Sequence, residues 1–437
     1  MSTAAGQLGD RSVPWGSQVP EAWQTAPVKY ATRVNAEVLS EATRPDFEFD
    51  YLDIGNVSEE GQVLGVERLR FDAAPSRARR LVTGGDVLVS TVRTYLKAIA
   101  HAPTLTSPLV CSTGFAVLTP RSSLDSRFLF YWARSSFFVD EVVARSTGVS
   151  YPAINPSDLG QLPVPELPLR QQRRIAGFLD AKLARLDELA RKKERQLALL
   201  AENRQALITH AVTCGLNPNA PTKPSNLPQL GAVPAHWTPT RLKYLARIRY
   251  GLGQPPKPQA DGLRMIRATN VDAGRITPEN MAFIDPSEVP ESRDATLKAG
   301  EIIVVRSGAY TCDSAIIPAE YEGAIAGYDM IVRVKKVEPE FVAYSLLSGP
   351  VRDAQLKPCS LRAAQPHLNA EELGDCVLAV PPREEQREIV SFLSTATTRF
   401  DAVTTSIKLQ HTKLSEYRQA LITAAVTGQV TIPEEAA

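Results

Sequence analysis

The apolar stretch "GDVLVSTV" that starts at Gly85 runs straight into "RTYLKAIAH", and the similar stretch "EIIVV" that starts at Glu301 runs into "RSGAYTC". Each apolar run is thus followed by an arginine and a tyrosine: Arg93 with Tyr95, and Arg306 with Tyr310, with Lys97 close behind in the first case. A guanidinium can give two parallel hydrogen bonds to a guanine edge, and a phenol ring can stack on a base or reach a phosphate. A second pair of cation-bearing turns holds Arg145 and Tyr151 in "ARSTGVSYP", and Lys357, Arg362 and His367 in "LKPCSLRAAQPH". These are the tools for binding a polyanion that has edges to read. The same residue types also line solvated loops that bind nothing, and spacing alone leaves both readings open.

Catalytic constellations are missing. The chain has no G-x-x-x-x-G-K-[ST] phosphate loop, no G-x-G-x-x-G after a strand, no H-E-x-x-H and no G-x-S-x-G. Asn155-Pro156 and Asn217-Pro218 lack the Pro-aromatic continuation of an amino-methyltransferase site and read as turns. Pro45-Asp46 finds its first acidic-x-Lys only at Asp180-Ala181-Lys182, inside a helical stretch unsuited to a metal site. The five histidines do not cluster, and the five cysteines are scattered without a C-x-x-C pair, so neither zinc nor a disulfide framework is expected. The expectation is a non-catalytic chain without a metal or cofactor of its own.

The elements that must position these loops come in two copies. Sliding the sequence by 214 positions lays "VPEAWQTAPVKY" from Val19 on "VPAHWTPTRLKY" from Val233, and "YPAINPSDLG" from Tyr151 on "QPHLNAEELG" from Gln365. The same shift lays "QRRIAGFL" from Gln172 on "QREIVSFL" from Gln386, and "RQALITHAVT" from Arg204 on "RQALITAAVT" from Arg418. Between these anchors the register drifts by about a residue: "GGDVLVS" resembles "AGEIIVV", and "GFAVLTP" resembles "GYDMIVR". A constant frame around a divergent interior fits two modules doing one job on different targets. So long a period marks a tandem domain duplication, not a solenoid. Each copy opens with short β-branched runs punctuated by Gly, Pro and Asp and at least one helical stretch, hence a mixed α+β domain. Each copy then closes with a long Pro-free helix.

In the first helix the seats Leu179, Leu183, Leu186, Ala190, Lys193, Leu197, Leu200, Arg204, Leu207 and Ala211 alternate in steps of four and three. Leu393, Thr397, Phe400, Thr404, Ile407, His411, Leu414, Arg418, Leu421 and Ala425 repeat them in the second. That spacing is a coiled-coil seam. A helix of about 40 residues is roughly 60 Å long, so parallel helices would strand the second domain between two distant ends. An antiparallel pair removes that difficulty and predicts a dumbbell with a pseudo-twofold axis across its handle. The expected layout is a domain over 1–168, a long helix over 169–215, a second domain over 216–381 and a second helix over 382–437.

The 437 residues are 43% hydrophobic, enough for more than one core, and the net charge of +1 does not by itself advertise a nucleic-acid binder. Local charge differs: Arg170 to Arg204 holds about ten Arg or Lys against about five acids, so this helix can meet phosphates as well as solvent. No apolar run approaches a membrane span, and "MSTAAGQLGDRSVPWG" lacks the apolar core of a signal peptide, so the expected location is cytoplasmic.

With the paired Val19 and Val233 stretches, the "GDVLVS" and "STGFAVL" strands, "YPAINPSDLGQLPVPELPLRQQRRIAGFLD" and the doubled helix ends in order, the sequence resembles the specificity subunits of type I restriction-modification systems. The resemblance runs from Val13 to about Ile432. It implies two target-recognition domains, each reading half of a split sequence in double-stranded DNA, held apart by helices that dock two modification (methyltransferase) subunits. It further implies that S-adenosylmethionine, and ATP with Mg for restriction, belong to partners, with restriction/translocase subunits able to join. The recognition domains of this family diverge, so the loop residues named above rest on their chemistry alone. Two rivals are a non-DNA scaffold spacing two binding modules and a fused, self-sufficient methyltransferase, the latter opposed by its missing motifs.

Overall fold

The computed structural model describes residues 19–20, 23–103, 106–290, 292–361 and 365–433. The chain divides into two compact units, residues 1–193 with 409–437, and residues 194–408. Both boundaries fall inside the long helices Leu169–Cys214 and Arg383–Val426. Each unit therefore holds one globular part, half of the first long helix and half of the second.

In the first unit the strand Val87–Ser90 lies between Phe115–Pro120 and Ile99–His101, with Thr32–Val34 completing an antiparallel sheet. All four of its residues are buried because both faces are covered. Val87 and Val89 face the helix Ser126–Ala133 and the long helices, whereas Leu88 faces a second sheet. That second sheet pairs Glu48–Leu52 with Leu109–Ser112 in parallel and adds Glu67–Arg70 and Ala78–Val82 on its edges.

The second unit repeats the plan. Ala246–Tyr250, Met330–Val334, Ile302–Val304 and Ser314–Ile316 form its four-stranded sheet in the same order, and Leu263–Ile266 pairs in parallel with Ile325–Ala326. Again period two divides the central strand: Ile302 and Val304 point to one core, Ile303 and Val305 to another.

Within each unit the two helix segments run antiparallel. In the first, Leu179 and Leu183 share a core with Leu421, Ile422 and Ala425, and Arg418 donates to Asp187 at 2.7 Å. In the second, Ile208, Ala211 and Val212 pack with Ile389 and Leu393, and Arg204 pairs with Asp401 at 3.5 Å. Leu179, Leu393, Ile407 and Leu421 are buried, and Leu186, Leu197, Leu200, Leu207, Phe400 and Leu414 are half-buried, alternating with exposed positions.

The repeated phrase holds the domain to these segments. In the first unit Gln419 Nε2 donates to the carbonyl of Arg134 at 2.8 Å, and Thr423 Oγ1 accepts from the Ser136 N–H at 3.0 Å. In the second, Gln205 Nε2 donates to the Leu347 carbonyl at 2.6 Å, and Thr209 Oγ1 accepts from the Gly349 N–H at 3.2 Å. Arginine, glutamine and threonine of "RQALIT" thus perform the same three tasks twice: an ion pair to the other helix, a carbonyl at a domain helix end, and the amide two residues beyond that carbonyl. Each helix then closes on a left-handed glycine, Gly215 or Gly428. There a Cβ would crowd the ring of Trp237 or Trp23, so each copy's early tryptophan seals the helix end in its unit.

Candidate nucleic-acid interface

The loops bearing the sequence candidates converge within each unit because the chain after the central strand is laced to the segment before the proline anchor. In the first unit the Arg93 N–H donates to the Pro152 carbonyl at 2.8 Å, the Ile154 N–H donates to the Thr91 carbonyl at 2.9 Å, and the Thr94 and Ser146 hydroxyls lie 2.8 Å apart. Arg93, at φ +52° in the left-handed region, lays its guanidinium 4.8 Å from the Tyr151 ring centre. Tyr95, next along the turn, is 52% exposed. Lys97 is paired with Glu59 at 3.0 Å, and Arg145 with Glu141 one helical turn earlier at 3.0 Å. The loops therefore bring together Arg93, Tyr95 and Tyr151, with Arg145 and Lys97 each held by a carboxylate.

In the second unit the Gly308 N–H donates to the Pro366 carbonyl at 3.3 Å, and the Leu368 N–H donates to the Arg306 carbonyl at 2.8 Å. These bonds match those of Arg93 with Pro152 and of Ile154 with Thr91. They correct the pairing suggested by sequence: the counterpart of Arg93 is Gly308, likewise left-handed at φ +88°, and Arg306 stands where the first unit has Thr91. Tyr310, 48% exposed, does correspond to Tyr95. Lys357 pairs with Asp353 at 2.8 Å on its own helical stretch. Arg362 lies outside the described residues.

Arg306 has the most elaborate surroundings of the candidates. Its guanidinium carbon lies 4.2 Å from the Tyr328 ring centre and 4.6 Å from that of Tyr250. Arg306 Nη2 meets His367 Nε2 at 3.2 Å. Tyr250 is fixed by its hydroxyl, which accepts from the Ala370 N–H at 2.9 Å. Behind the arginine, the buried Asp329 accepts from the Arg306 backbone N–H at 3.2 Å. Burial raises the Asp329 carboxyl to about 6, against the opposing pull of that hydrogen bond and the Arg306 charge.

Tyr250, Tyr328 and Asp329 were not singled out by sequence. The strand registers explain why: Val87 opposite Leu118 corresponds to Ile302 opposite Val332, which sets Tyr328 at the place of Gly114 and Asp329 at that of Phe115. Aligning Gly114 with Gly327 conceals this substitution by one residue.

Glu301 and Asp86 both close the turn before the central strand, each accepting from a backbone N–H three residues earlier: Lys298 for Glu301 and Thr83 for Asp86. Glu301 also receives Arg249 Nη1 at 2.9 Å and Arg333 Nε at 2.5 Å. Burial pushes its carboxyl up, but the arginine and backbone hydrogen bonds outweigh it and hold the group below its ordinary value. Among the described residues, no three or more His, Cys, Asp and Glu side chains gather as a metal site, and no helix is long and apolar enough to cross a membrane.

A duplicated α+β module, each copy seated on antiparallel helix segments with arginine and tyrosine at a loop cluster, fits the class of proteins that recognise two targets through one frame. Comparison with known proteins shows what the chain is similar to. Residues 271–411 match the type I restriction modification DNA specificity domain. The chain is 22% identical over 429 residues to the type I restriction enzyme EcoKI specificity subunit of Escherichia coli (strain K12), covering 95% of this chain and 90% of that protein. It is 23% identical over 430 residues to the StySPI specificity subunit of Salmonella potsdam, with the same coverages of 95% and 90%. A chain from a structural study of complex assembly and conformational transition in the type I R-M system superposes with a TM-score of 0.71 at 22% identity, over 94% of this chain and 99% of that one. Over nearly its whole length the chain is thus similar to type I restriction-modification specificity subunits.

Proposed function

We propose that this chain reads a bipartite double-stranded DNA sequence and brings adenine methyltransferase subunits to it, one half-site being read by the Arg93, Tyr95, Tyr151 cluster and the other by the Arg306, Tyr310, His367 cluster. The observation that carries this reading is the doubled lacing of the loop after the central strand to the proline anchor, which gathers arginine and aromatic side chains in both units. Lys97, Arg145 and Lys357 are held by carboxylates that a phosphate can replace, and they supply charge without sequence information. Two modification subunits suit two copies of one helix-and-domain frame. S-adenosylmethionine, and ATP with Mg when restriction/translocase subunits join, are assigned to those partners, and the working compartment is the cytoplasm.

The test is methylation of a plasmid library by the lone chain and by the chain copurified with its modification subunit. The pair should methylate adenine within one split sequence, and the lone chain should transfer no methyl group and bind DNA weakly at 150 mM salt. Sequence-independent methylation by the pair, or no binding of any duplex, would instead favour a protein scaffold.

A further inference from the structure

We infer that Arg306 is the base-reading residue of the second unit and that it recognises a guanine, held in register by the cage of Tyr250, Tyr328 and His367. The inference rests on the DNA-reading function proposed above and adds the identity of one base.

An arginine that only neutralises phosphate needs charge and reach, not a fixed plane. Arg306 has a fixed plane. Its Nε is buried and meets no acceptor, a cost tolerated where a side chain must hold one pose. Aromatic rings flank the guanidinium, and the contact from Nη2 to His367 restricts rotation about the last bond. Tyr250 is itself anchored through its hydroxyl, so one wall of the cage cannot swing away.

What remains free is the outer edge. Among the described residues no acceptor is placed against Nη1, and the Arg306 side chain is partly exposed. Each Nη carries two hydrogens, and the contact with His367 uses one. A two-pronged donor edge is left on a guanidinium whose stem and faces are occupied, which matches the adjacent N7 and O6 acceptors of guanine in the major groove. Adenine offers a donor where guanine has O6, so the same edge rejects it.

The first unit lacks this device. Thr91 fills the place of Arg306 and turns its hydroxyl back to the Gly114 carbonyl at 2.9 Å, and Gly114 fills the place of Tyr328. The cage therefore belongs to the divergent interior, where the two units must differ if they read different half-sites.

The experiment uses the complex with its modification subunit and a duplex library in which one half-site is kept and the other randomised, with methylated molecules sequenced. Wild type should require guanine at one position of the half-site read by the second unit. Arg306→Lys and Arg306→Gln should both lose about 10- to 100-fold of the discrimination at that position alone. Tyr328→Leu and His367→Ala should relax the same position by a smaller factor. If Arg306→Lys keeps the discrimination, or if all positions weaken equally with a shallower salt dependence, Arg306 is a phosphate contact and the inference fails. It also fails if neither half-site contains a guanine sensitive to these changes. Should both Arg306 variants prove insoluble, Tyr328→Leu, on a partly exposed ring, decides by the same single-position criterion. A wild-type complex without sequence preference would overturn the proposed function itself, a result separate from any of these.

Discussion

Arg418 Nη1 donates to Asp187 Oδ1 at 2.7 Å, joining the second half of one long helix to the first half of the other. Arg204 lies 214 positions before Arg418, and Asp401 lies 214 positions after Asp187. The pair Arg204 with Asp401, Nε to Oδ1 at 3.5 Å, is the equivalent ion pair of the other copy, longer and without a hydrogen bond. Both arginine side chains are mostly shielded, and the Nε of each has no hydrogen-bond partner, so the fixed pairing brings register more than it brings stability. In the second unit Arg275, from a hairpin of the domain, adds itself to Asp401, whereas in the first Glu60 contributes its charge toward Arg418.

Reversing one partner should therefore harm more than reversing both. Arg418→Asp places two carboxylates together and should lower stability by about 2–4 kcal/mol. Adding Asp187→Arg should recover part of that, with a coupling of about 1–3 kcal/mol in a double-mutant cycle. Urea unfolding followed at the first unit reads both. Strictly additive effects would show that the two side chains do not hold the register.

The two buried carboxylates of the second unit predict opposite responses to pH. Asp329 has a carboxyl raised to about 6, so the native state favours its protonated form. That stability is fully present below the ordinary carboxyl value of about 4 and is lost as pH rises through about 6. Asp329→Asn keeps an oxygen for the Arg306 N–H and should stabilise the second unit at pH 7.5 by up to about 3 kcal/mol, a gain that fades toward pH 4. Thermal unfolding of both proteins across that range measures the difference.

Glu301 is held below its ordinary value, so its contribution is present above about pH 4 and is lost as pH falls through the depressed folded value. Glu301→Ala would strand Arg249, whose side chain is nearly as buried, and should cost about 3–5 kcal/mol at pH 7.5. A melting temperature unchanged at that pH would mean that the arginines find other partners.

The glutamine and threonine of the repeated phrase should control how firmly a domain is held to its helices. Gln419→Ala with Thr423→Val leaves the Arg134 carbonyl and the Ser136 N–H without these partners, at about 1–3 kcal/mol for each buried group left unpaired. Hydrogen exchange should accelerate by at least about tenfold at Ser136 and its neighbours while the second unit stays protected. Gln205→Ala with Thr209→Val should mirror the effect at Gly349. Uniform acceleration throughout the chain would point to global destabilisation instead.

The long helices were legible because alternating steps of four and three residues appear directly in the order of side chains. The meaning of "RQALIT" was not. Gln205 and Gln419 act on carbonyls more than 140 residues away, and sequence reveals only that they recur. Gln172 and Gln386 are similar: each is buried where a long helix begins, bonding the preceding turn and a backbone N–H of its domain. In the loops, Tyr95 and Tyr310 were matched correctly. The arginines are not equivalent, because Arg93 and Gly308 each take the left-handed turn position of their own unit and Arg306 stands two residues before it, where the first unit has Thr91. The cage stayed hidden, since Tyr250, Arg306, Tyr328 and His367 meet only through sheet pairing.

A half-chain ending at Leu216 provides the most demanding test of the duplication. Its helix contains Asp187 and Arg204, the two kinds of residue each ion pair needs, and Gln205, Thr209 and Gly215, the clamp and the cap. Two such half-chains set antiparallel should form Asp187 to Arg204 pairs twice, with Gln205 and Thr209 of each copy bonding Arg134 and Ser136 of the other. Light scattering should give twice the monomer mass. Arg204→Asp should yield monomers, and Asp187→Arg in the same chain should restore the dimer, which a general hydrophobic association would not do. Because a twofold dimer presents the same reading surface twice, its complex with the modification subunit should methylate a palindrome built from the half-site of the first unit. Folded half-chains that remain monomeric at 100 µM, a concentration chosen to exceed that of a weak dimer of about 10 µM (about 7 kcal/mol), would mean that the second copy supplies something the first does not contain.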